Sequence, residues 1–319
     1  MNSFLDPELP VEVPVRTKAA RPATAKKKPV DKQSYESNAD VQRWLQEQTS
    51  AEGGHKPAFD PSFLSGLRDR DWIMSSLGHF YQEDLISDVL HVVKSGKEAT
   101  VYCCAAGPAA GVDYVAAKVY RPRMFRSLSN DAIYRESRSQ HDQDGRIVRD
   151  DRRGRGAGKK SGRTRSSEVS SWIDFEYRTQ QLLYGAGAIV PQPLSQIGNA
   201  VLMEYVGDVD EPATHLQQVR VPRDEAPRLF RNLMRDIELF LAHDRIHGDL
   251  SAYNILYWQG NVTIIDFAQA VEPRHNPDVY PLLERDIERV CGYFARFGVT
   301  SDPHRLAATL WARYMGGDL

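Results

Sequence analysis

Several features are scarce in this sequence of 319 residues. Its three cysteines, Cys103, Cys104 and Cys291, do not form a C-x-x-C pair, so neither a disulfide framework nor a zinc site is predicted. Basic and acidic residues nearly balance at a formal net charge of -2, and whole-chain charge therefore gives no argument for nucleic-acid binding. No apolar run is long enough to cross a membrane, and the first twenty residues, which prolines interrupt, lack the apolar core of a signal peptide. These absences predict a cytoplasmic protein without a membrane partner.

The amino-terminal part of the chain also lacks a sustained apolar pattern. Residues 1–60 are rich in Pro, Lys, Ala and polar residues, and we expect them to form a disordered tail, because too little apolar surface is present to offset the entropy of ordering. Residues 61–84 carry apolar side chains at helical spacings. This second segment is predicted to be a short helical extension that packs on the following domain.

The most informative stretch runs from His247 to Asp266. It contains the spacing His-x-Asp-Leu-x-x-x-Asn, then two strand-forming runs, residues 255–258 and 262–265, separated by Gln-Gly-Asn. The two runs predict a β-hairpin. Asn254 lies six residues before the turn glycine and Asp266 six after it. Folding the hairpin therefore brings both side chains to its open end, next to the loop that carries Asp249.

Three oxygen-bearing side chains at one place suit phosphoryl transfer. This reaction needs a carboxylate that accepts or orients the proton of the attacking hydroxyl, a role that Asp249 fits. It also needs hard oxygen ligands for Mg²⁺, a role that Asn254 and Asp266 fit. The order of these elements is that of the catalytic and metal loops in the protein-kinase-like fold. A solvated loop in which Asp249 and Asn254 only cap turns is the alternative, and it leaves the match of three elements in order unexplained.

A lysine at the centre of an apolar strand, Lys118 within Tyr-Val-Ala-Ala-Lys-Val-Tyr, requires a partner if it is buried. The functional interpretation is contact with the α- and β-phosphates of a nucleotide. Residues 167–185 predict a helix, and Glu176 falls on its apolar face with Trp172 and Leu183. An acid on a buried face needs a cation, so we predict an ion pair between Lys118 and Glu176.

Two further elements could bind a nucleotide. Ser95, Gly96 and Lys97 begin a turn between two predicted strands, where backbone amides can lie over phosphates. This signal is weak alone, because one glycine is present where such loops carry several. Downstream, the strand that ends in Val206-Gly207 reads as the start of a connector, and the backbone groups of Glu204 and Val206 are candidates for binding the adenine edge.

The segment 138–165 is unusually basic. It contains ten basic residues against four acidic ones, a local balance of +6, with many glycines and almost no apolar side chains. We expect a flexible loop. Such a loop could contact RNA phosphates or ribosomal particles, or it could be a solvated insertion, because no aromatic residues are interleaved for base stacking.

Taken together, these motifs closely resemble the RIO family of atypical serine/threonine protein kinases. The resemblance rests on Ser95-Gly-Lys-Glu-Ala-Thr-Val-Tyr102, Lys118, Glu176 within Trp-Ile-Asp-Phe-Glu-Tyr, His247-Gly-Asp-Leu-Ser-Ala-Tyr-Asn254 and Ile265-Asp-Phe-Ala-Gln269. It implies an α+β, two-lobed, protein-kinase-like fold. The amino-terminal lobe, residues 85–206, would be a small antiparallel β lobe with one key helix, and residues 207–319 would form a mainly helical lobe.

The resemblance also implies roles for particular residues. Lys118, held by Glu176, would contact ATP phosphates, Asp249 would be the catalytic acid/base residue, and Asn254 with Asp266 would hold Mg²⁺, or Mn²⁺ as an alternative. Serine/threonine kinase activity, autophosphorylation and a function in ribosome assembly are family expectations. Some family members behave as ATPase switches that form a phosphoaspartate at the position matching Asp266.

Departures from ordinary protein kinases limit these expectations. Gly248 replaces the arginine of the His-Arg-Asp motif, no Ala-Pro-Glu motif follows Asp266, and 53 residues remain after it. We therefore expect no activation segment and no peptide-docking helices. Three alternatives stay open: an ATPase switch that binds RNA or ribosomal particles, a small-molecule phosphotransferase of the aminoglycoside or choline kinase type, and an inactive structural relative. The sequence gives no indication of the oligomeric state.

Overall fold

The computed structural model describes residues 56–63, 67–121, 162–275 and 277–319, with side chains omitted for 67–69, 162–170, 275 and 277. The predicted tail, apart from residues 56–60, and the predicted basic loop, apart from residues 162–165, lie outside the described residues. The helices and strands, in chain order, are α1 (Leu67–Gln82), β1 (Ile86–Ser95), β2 (Ala99–Ala106), β3 (Tyr114–Tyr120), α2 (Gly162–Gly185), β4 (Pro193–Ile197), β5 (Ala200–Glu204), β6 (Thr214–His215), α3 (Ala226–Ala242), β7 (Ile255–Trp258), β8 (Asn261–Ile264), α4 (Tyr280–Ala295) and α5 (Pro303–Gly316).

The first lobe is built on an antiparallel sheet in the order β1-β2-β3-β5-β4. Its first three strands are rich in Val and Tyr, which suit a pleated and largely buried surface. Strand β3 lies at the centre, so Lys118 is opposite Val101 of β2 and Val201 of β5. The sheet therefore surrounds this lysine with apolar neighbours.

Helix α1 covers one face of this sheet. Its apolar side chains are buried together with those of β1 and β3, and the cluster includes Trp72, Ile73, Leu77, Phe80, Ile86, Val89 and Val115. Burying such side chains stabilises the packed state by roughly 1.5–3 kcal/mol each. This helix of 16 residues lies within the segment 61–84 and shares a core with the sheet.

Helix α2 is longer than predicted. It begins at Gly162, whereas the sequence pattern placed its start at Ser167 and assigned residues 162–165 to the basic loop. That boundary was wrong because the apolar period, which begins later, was used to define the start. No glycine or proline occurs between Gly162 and Gly185, and arginine is a good helix former, so the helix continues past the end of its apolar stripe.

The second lobe combines helices α3, α4 and α5 with the small sheet β6-β7-β8. Its core is the largest apolar cluster and draws on all three helices, through residues such as Leu233, Phe240, Ile287, Phe294 and Leu310. These three helices make the second lobe mainly helical, as predicted. None of the described helices is long and apolar enough to span a membrane. The three cysteines are free and buried.

Candidate active site

A tight hairpin brings the predicted metal-binding side chains together. Gln259 and Gly260 both have positive φ angles, of 46° and 77°, which is typical of a two-residue type I′ turn. Strand β8 therefore begins at Asn261, one residue earlier than predicted. As a result Asn254 and Ile265 are hydrogen-bonded across the open end of the hairpin: the Ile265 N–H donates to the Asn254 carbonyl at 3.0 Å. Asp266 follows Ile265 directly, so it lies next to Asn254.

Asn254 also fixes the loop that carries Asp249. Its side-chain nitrogen donates to the backbone carbonyl of Asp249 at 2.9 Å and to the Asp249 carboxylate at 3.3 Å. The Asn254 side chain is buried, whereas that of Asp249 is half exposed, at 50%. The Asp249 carboxylate is therefore partly exposed to solvent, while the Asn254 side chain holds the backbone of the loop in place.

Lys118 joins the two lobes. Its ammonium donates to the Glu176 carboxylate at 2.6 Å and to the Asp266 carboxylate at 2.8 Å, and the hydroxyl of Tyr120 donates to the other oxygen of Glu176. Burial by itself lowers the pKa of Lys118, but the two carboxylates outweigh it and raise the pKa well above its ordinary value. The lysine is therefore charged, and the predicted ion pair with Glu176 is present.

The same contact acts on Asp266. Burial raises the pKa of this carboxyl, but the ammonium of Lys118 has the larger combined effect, and the pKa of Asp266 lies below its ordinary value. Asp266 has a left-handed backbone conformation, with φ 71° and ψ 75°. Its carboxylate is therefore ionised at neutral pH and sits on a sharp bend where the chain leaves the hairpin.

The residues present fit a divalent cation. Both side-chain donations of Asn254 come from its nitrogen, so the amide oxygen is the atom left for a metal. Asp266 supplies an ionised carboxylate with a side chain 42% exposed. One carboxylate and one amide oxygen are a ligand set that suits Mg²⁺ when nucleotide phosphates and water supply the remaining ligands.

His247 was not singled out from the sequence as a positioning residue. It is buried, its Nε2 lies 3.1 Å from the Ile265 carbonyl, and its Nδ1 accepts from the Asp249 N–H at 3.3 Å. Burial lowers the pKa of His247, so the ring is neutral, with the proton assigned to Nε2 by these two partners. The imidazole thereby ties the Asp249 loop to the strand that leads to Asp266.

Asp286, on α4, was missed by the sequence reasoning. It is buried and accepts the backbone N–H groups of Gly248 at 2.7 Å and Leu250 at 2.9 Å, the two residues on either side of Asp249. Burial raises its pKa to about 7, although the two amide donors oppose this shift. A signal was available: Asp286 lies on the apolar face of α4 beside Ile287, and an acid at such a position had already identified Glu176.

An arginine of α4 was missed as well. The Arg289 guanidinium donates to the Asp249 carboxylate at 2.8 Å, and both side chains line an open cavity of about 600 Å³. Arg296, just past the end of α4, lines the same cavity. The sequence carried no local signal for this arrangement, because α4 begins 31 residues after Asp249 and reaches it only through the fold.

The predicted nucleotide-binding turn differs in detail from expectation. The Gly96 N–H closes the turn by donating to the Ala99 carbonyl at 2.9 Å, and the Ser95 hydroxyl accepts from Arg121 at 2.7 Å. These two groups are therefore already paired. Of the three residues predicted for this turn, Lys97 has an exposed side chain that could contact a phosphate.

The connector between the lobes begins at the end of β5. The Glu204 N–H donates to the Gln192 carbonyl at 2.8 Å, so of its backbone groups the carbonyl is the one to consider for an adenine contact. The Val206 carbonyl accepts from the Ala213 N–H at 3.1 Å, which leaves the Val206 N–H as the complementary group. Nearby, Ala116, Val101 and Met203 cluster around buried Cys103 and Tyr205.

Comparison with protein-family models gives the family of this chain. The family model described as the RIO domain matches residues 114–306, a segment that contains Lys118, Glu176, Asp249, Asn254 and Asp266. The chain belongs to the RIO family. The two-lobed α+β architecture is therefore the predicted protein-kinase-like fold. Between Asp266 and α4, the described residues of this RIO protein form three short 3-10 turns, Phe267–Gln269, Pro273–His275 and Pro277–Val279.

Relatives share this domain at moderate identity. The RIO-type serine/threonine-protein kinase Rio1 of Haloferax volcanii is 31% identical over 211 residues, which are 66% of this chain and 64% of that protein. The Rio1 protein of Thermoplasma acidophilum is 32% identical over 142 residues, 44% of this chain and 73% of that protein. The crystal structure of the Rio2 kinase-ADP/Mg²⁺-phosphoaspartate complex from Chaetomium thermophilum aligns over 85% of this chain and 86% of that one, at 19% identity and a TM-score of 0.47. The family assignment rests on the sequence match.

Proposed function

We propose that this RIO protein is a Mg-ATP-dependent serine/threonine protein kinase. It transfers the γ-phosphate to a serine or threonine hydroxyl, including hydroxyls of its own chain, or to water. The observation that carries this proposal is the contact of Lys118 with both Glu176 and Asp266, which places a fixed cation beside an ionised carboxylate. A nucleotide needs this combination of charges at its phosphates. The names of the relatives, which are RIO-type serine/threonine-protein kinases, support the same reaction class.

Each residue has a role in this proposal. Lys118 would bind nucleotide phosphates, with Glu176 as its positioning partner, and Asn254 with Asp266 would hold Mg²⁺, which supplies charge neutralisation at the phosphates when bound. Asp249 would accept or orient the proton of the attacking hydroxyl. Lys97 of the Ser95–Lys97 turn would also bind phosphate, and the backbone groups of Glu204 and Val206 would bind the adenine edge.

Two of the three alternatives differ from this kinase in what reaches the γ-phosphate. An ATPase switch would use water, and the relation to ribosomal particles or RNA through residues 138–165 is a proposal from sequence charge alone. A phosphotransferase of the aminoglycoside type is disfavoured by a specific observation. Arg289 and Arg296 line the cavity beside Asp249, and because Arg289 is paired with Asp249, Arg296 leaves a net positive charge that would repel a polycationic acceptor.

We also propose a cytoplasmic location, because the three cysteines are buried free thiols, which are typical of a reducing compartment.

The test uses γ-labelled ATP with Mg²⁺ or Mn²⁺, and wild type is compared with Asp249→Asn, which keeps the shape of the side chain. Labelled protein and free phosphate are measured separately, with and without RNA or ribosomal particles. We expect the Asn variant to lose about 10²-fold or more of the transfer rate, the scale of a general acid–base contribution. Asp113→Asn, an exposed position between β2 and β3, is the matched control.

The readouts separate the candidate functions. Stable label on serine or threonine, lost in Asp249→Asn and kept in Asp113→Asn, supports the kinase. Free phosphate that rises with ribosomal particles, with little stable label, supports the ATPase switch. If wild type and Asp249→Asn turn over ATP at the same rate, the proposal is wrong.

A further inference from the structure

The cavity beside Asp249 has an unbalanced charge. Of its described lining residues, Asp249 is the one acid, and Arg289 and Arg296 are the two bases. Asp249 and Arg289 are paired with each other at 2.8 Å. The remaining cation, Arg296, therefore gives the cavity that Asp249 lines a net positive charge.

Arg296 is held in place by its surroundings. Its guanidinium lies 4.5 Å from the centroid of the Tyr293 ring, and its Nε donates to the Tyr293 carbonyl at 3.3 Å. Tyr293 is itself anchored, because its hydroxyl lies 2.7 Å from the Leu216 carbonyl and 2.9 Å from that of Val219. Within the described part of the chain, no carboxylate forms an ion pair with Arg296. A cation that is stacked and preorganised, without an acidic partner, is a ready site for an anionic group of a ligand.

The spacing of the two arginines sets a distance. Arg296 follows Arg289 by seven residues, and its backbone is still helical, with φ -62° and ψ -21°. Seven residues correspond to two turns, or about 10 Å along the helix axis. An extended peptide covers the same distance in about three residues, at roughly 3.3 Å per residue. A hydroxyl at Asp249 and a carboxylate at Arg296 can therefore belong to one short peptide.

We propose that the acceptor of this kinase is a serine or threonine in an acidic peptide, with an Asp or Glu about three residues from the hydroxyl. Arg296 binds that carboxylate, and the acceptor hydroxyl takes the place of Arg289 at Asp249. This inference rests on the proposed kinase function and names the substrate class of its acceptor side. It uses only contacts within the cavity of Asp249, so the expected lack of peptide-docking helices does not oppose it. It assigns Arg296 as a specificity-determining residue rather than a catalytic one.

The limited extent of the charge favours a peptide over RNA. A nucleic-acid surface presents a stripe of several Lys and Arg side chains that follow the phosphate backbone. The cavity instead offers one guanidinium that has no carboxylate partner, that of Arg296, together with the exposed ring of Tyr253. Such a site recognises a single carboxylate at a defined position.

The test uses the full chain, Mg-ATP and synthetic peptides that each contain one serine. The peptides carry Glu, Gln or Lys three residues before or three residues after the serine, and kcat/KM is measured for each. We expect wild type to prefer Glu over Gln in one of the two directions by about tenfold, a typical effect of one charge-assisted hydrogen bond. Lys at the same position should reduce kcat/KM below that of the Gln peptide.

A charge reversal makes the assignment specific. Arg296→Glu should invert the order, so that the Lys peptide becomes better than the Glu peptide. Arg305→Glu, at an exposed position of α5 outside the cavity, should keep the wild-type order. Increasing NaCl should reduce the preference of wild type, because the interacting charges are partly exposed.

The possible failures are distinguishable. Equal kcat/KM for Glu, Gln and Lys peptides, or no peptide labelling while the chain hydrolyses ATP or labels itself, would overturn this inference and leave the proposed function standing. Absence of any ATP turnover or transfer would overturn the proposed function. An RNA oligonucleotide that inhibits wild type but not Arg296→Glu would assign the cation to RNA and also overturn the peptide acceptor.

Discussion

Replacing Asp286 with alanine tests how the loop around Asp249 is held. The carboxylate accepts the N–H groups of Gly248 and Leu250, both of which are buried. Without an acceptor, each buried N–H costs about 1–3 kcal/mol. The variant no longer buries a carboxyl group, which offsets part of this loss. We therefore expect Asp286→Ala to lower the free energy of unfolding by about 2–4 kcal/mol.

The effect on phosphate transfer should exceed what destabilisation alone explains. Asp249 lies between the two bonded amides, so loss of Asp286 lets its carboxylate move relative to Lys118 and the acceptor. A misplacement of the order of 1 Å can cost about 10²-fold in rate. This loss should appear in kcat at temperatures where the variant remains folded.

The assays are urea unfolding, with midpoint and slope, and transfer of labelled γ-phosphate by the folded fraction. Asp286→Asn keeps one acceptor oxygen and should recover part of the stability and rate. Asp113→Ala, which removes an exposed carboxylate from the first lobe, serves as the matched control. If Asp286→Ala unfolds within about 0.5 kcal/mol of wild type, as surface substitutions do, the reasoning about the buried amides is refuted. A destabilised variant with unchanged kcat would refute the positioning role alone.

Two further predictions concern the buried charges. The pKa of Asp286 is about 7 in the folded chain against an ordinary value of 3.8, so its contribution to stability is present below pH 3.8 and lost as the pH rises to about 7. Denaturant unfolding between pH 4 and 7 should show wild type losing up to about 1.4 kcal/mol per pH unit more than Asp286→Asn, and equal slopes would contradict the shifted pKa. Glu176→Gln should slow labelled-phosphate transfer by about tenfold or more, because Lys118 keeps its contact with Asp266 but loses the partner that fixes it. The folded state of this variant can be checked by thermal unfolding, and a wild-type transfer rate would show that Glu176 does not position the lysine.

Local sequence patterns predicted the elements of the site well. The hairpin after Asn254 follows from two strand-forming runs around Gln-Gly, and the pairing of Lys118 with Glu176 follows from single charges on apolar faces. Both predictions succeed because a strand or helix has a fixed period, so the sequence alone states which side chains share a face. The predicted start of α2 was wrong because the helix extends beyond the apolar pattern from which its start was predicted.

Other parts of the site depend on tertiary packing. The sequence by itself determined the hairpin and the pairing of the charged residues on apolar faces, since these depend on short-range periodicity and turn chemistry, whereas the two lobes were implied by the family resemblance. Only the fold decided that Lys118 meets Asp266 across 148 positions, that Asp286 accepts the amides beside Asp249, and that Arg289 and Arg296 face the same cavity. Such contacts depend on how α4 packs against the catalytic loop, and packing is set by the whole buried core rather than by any local pattern.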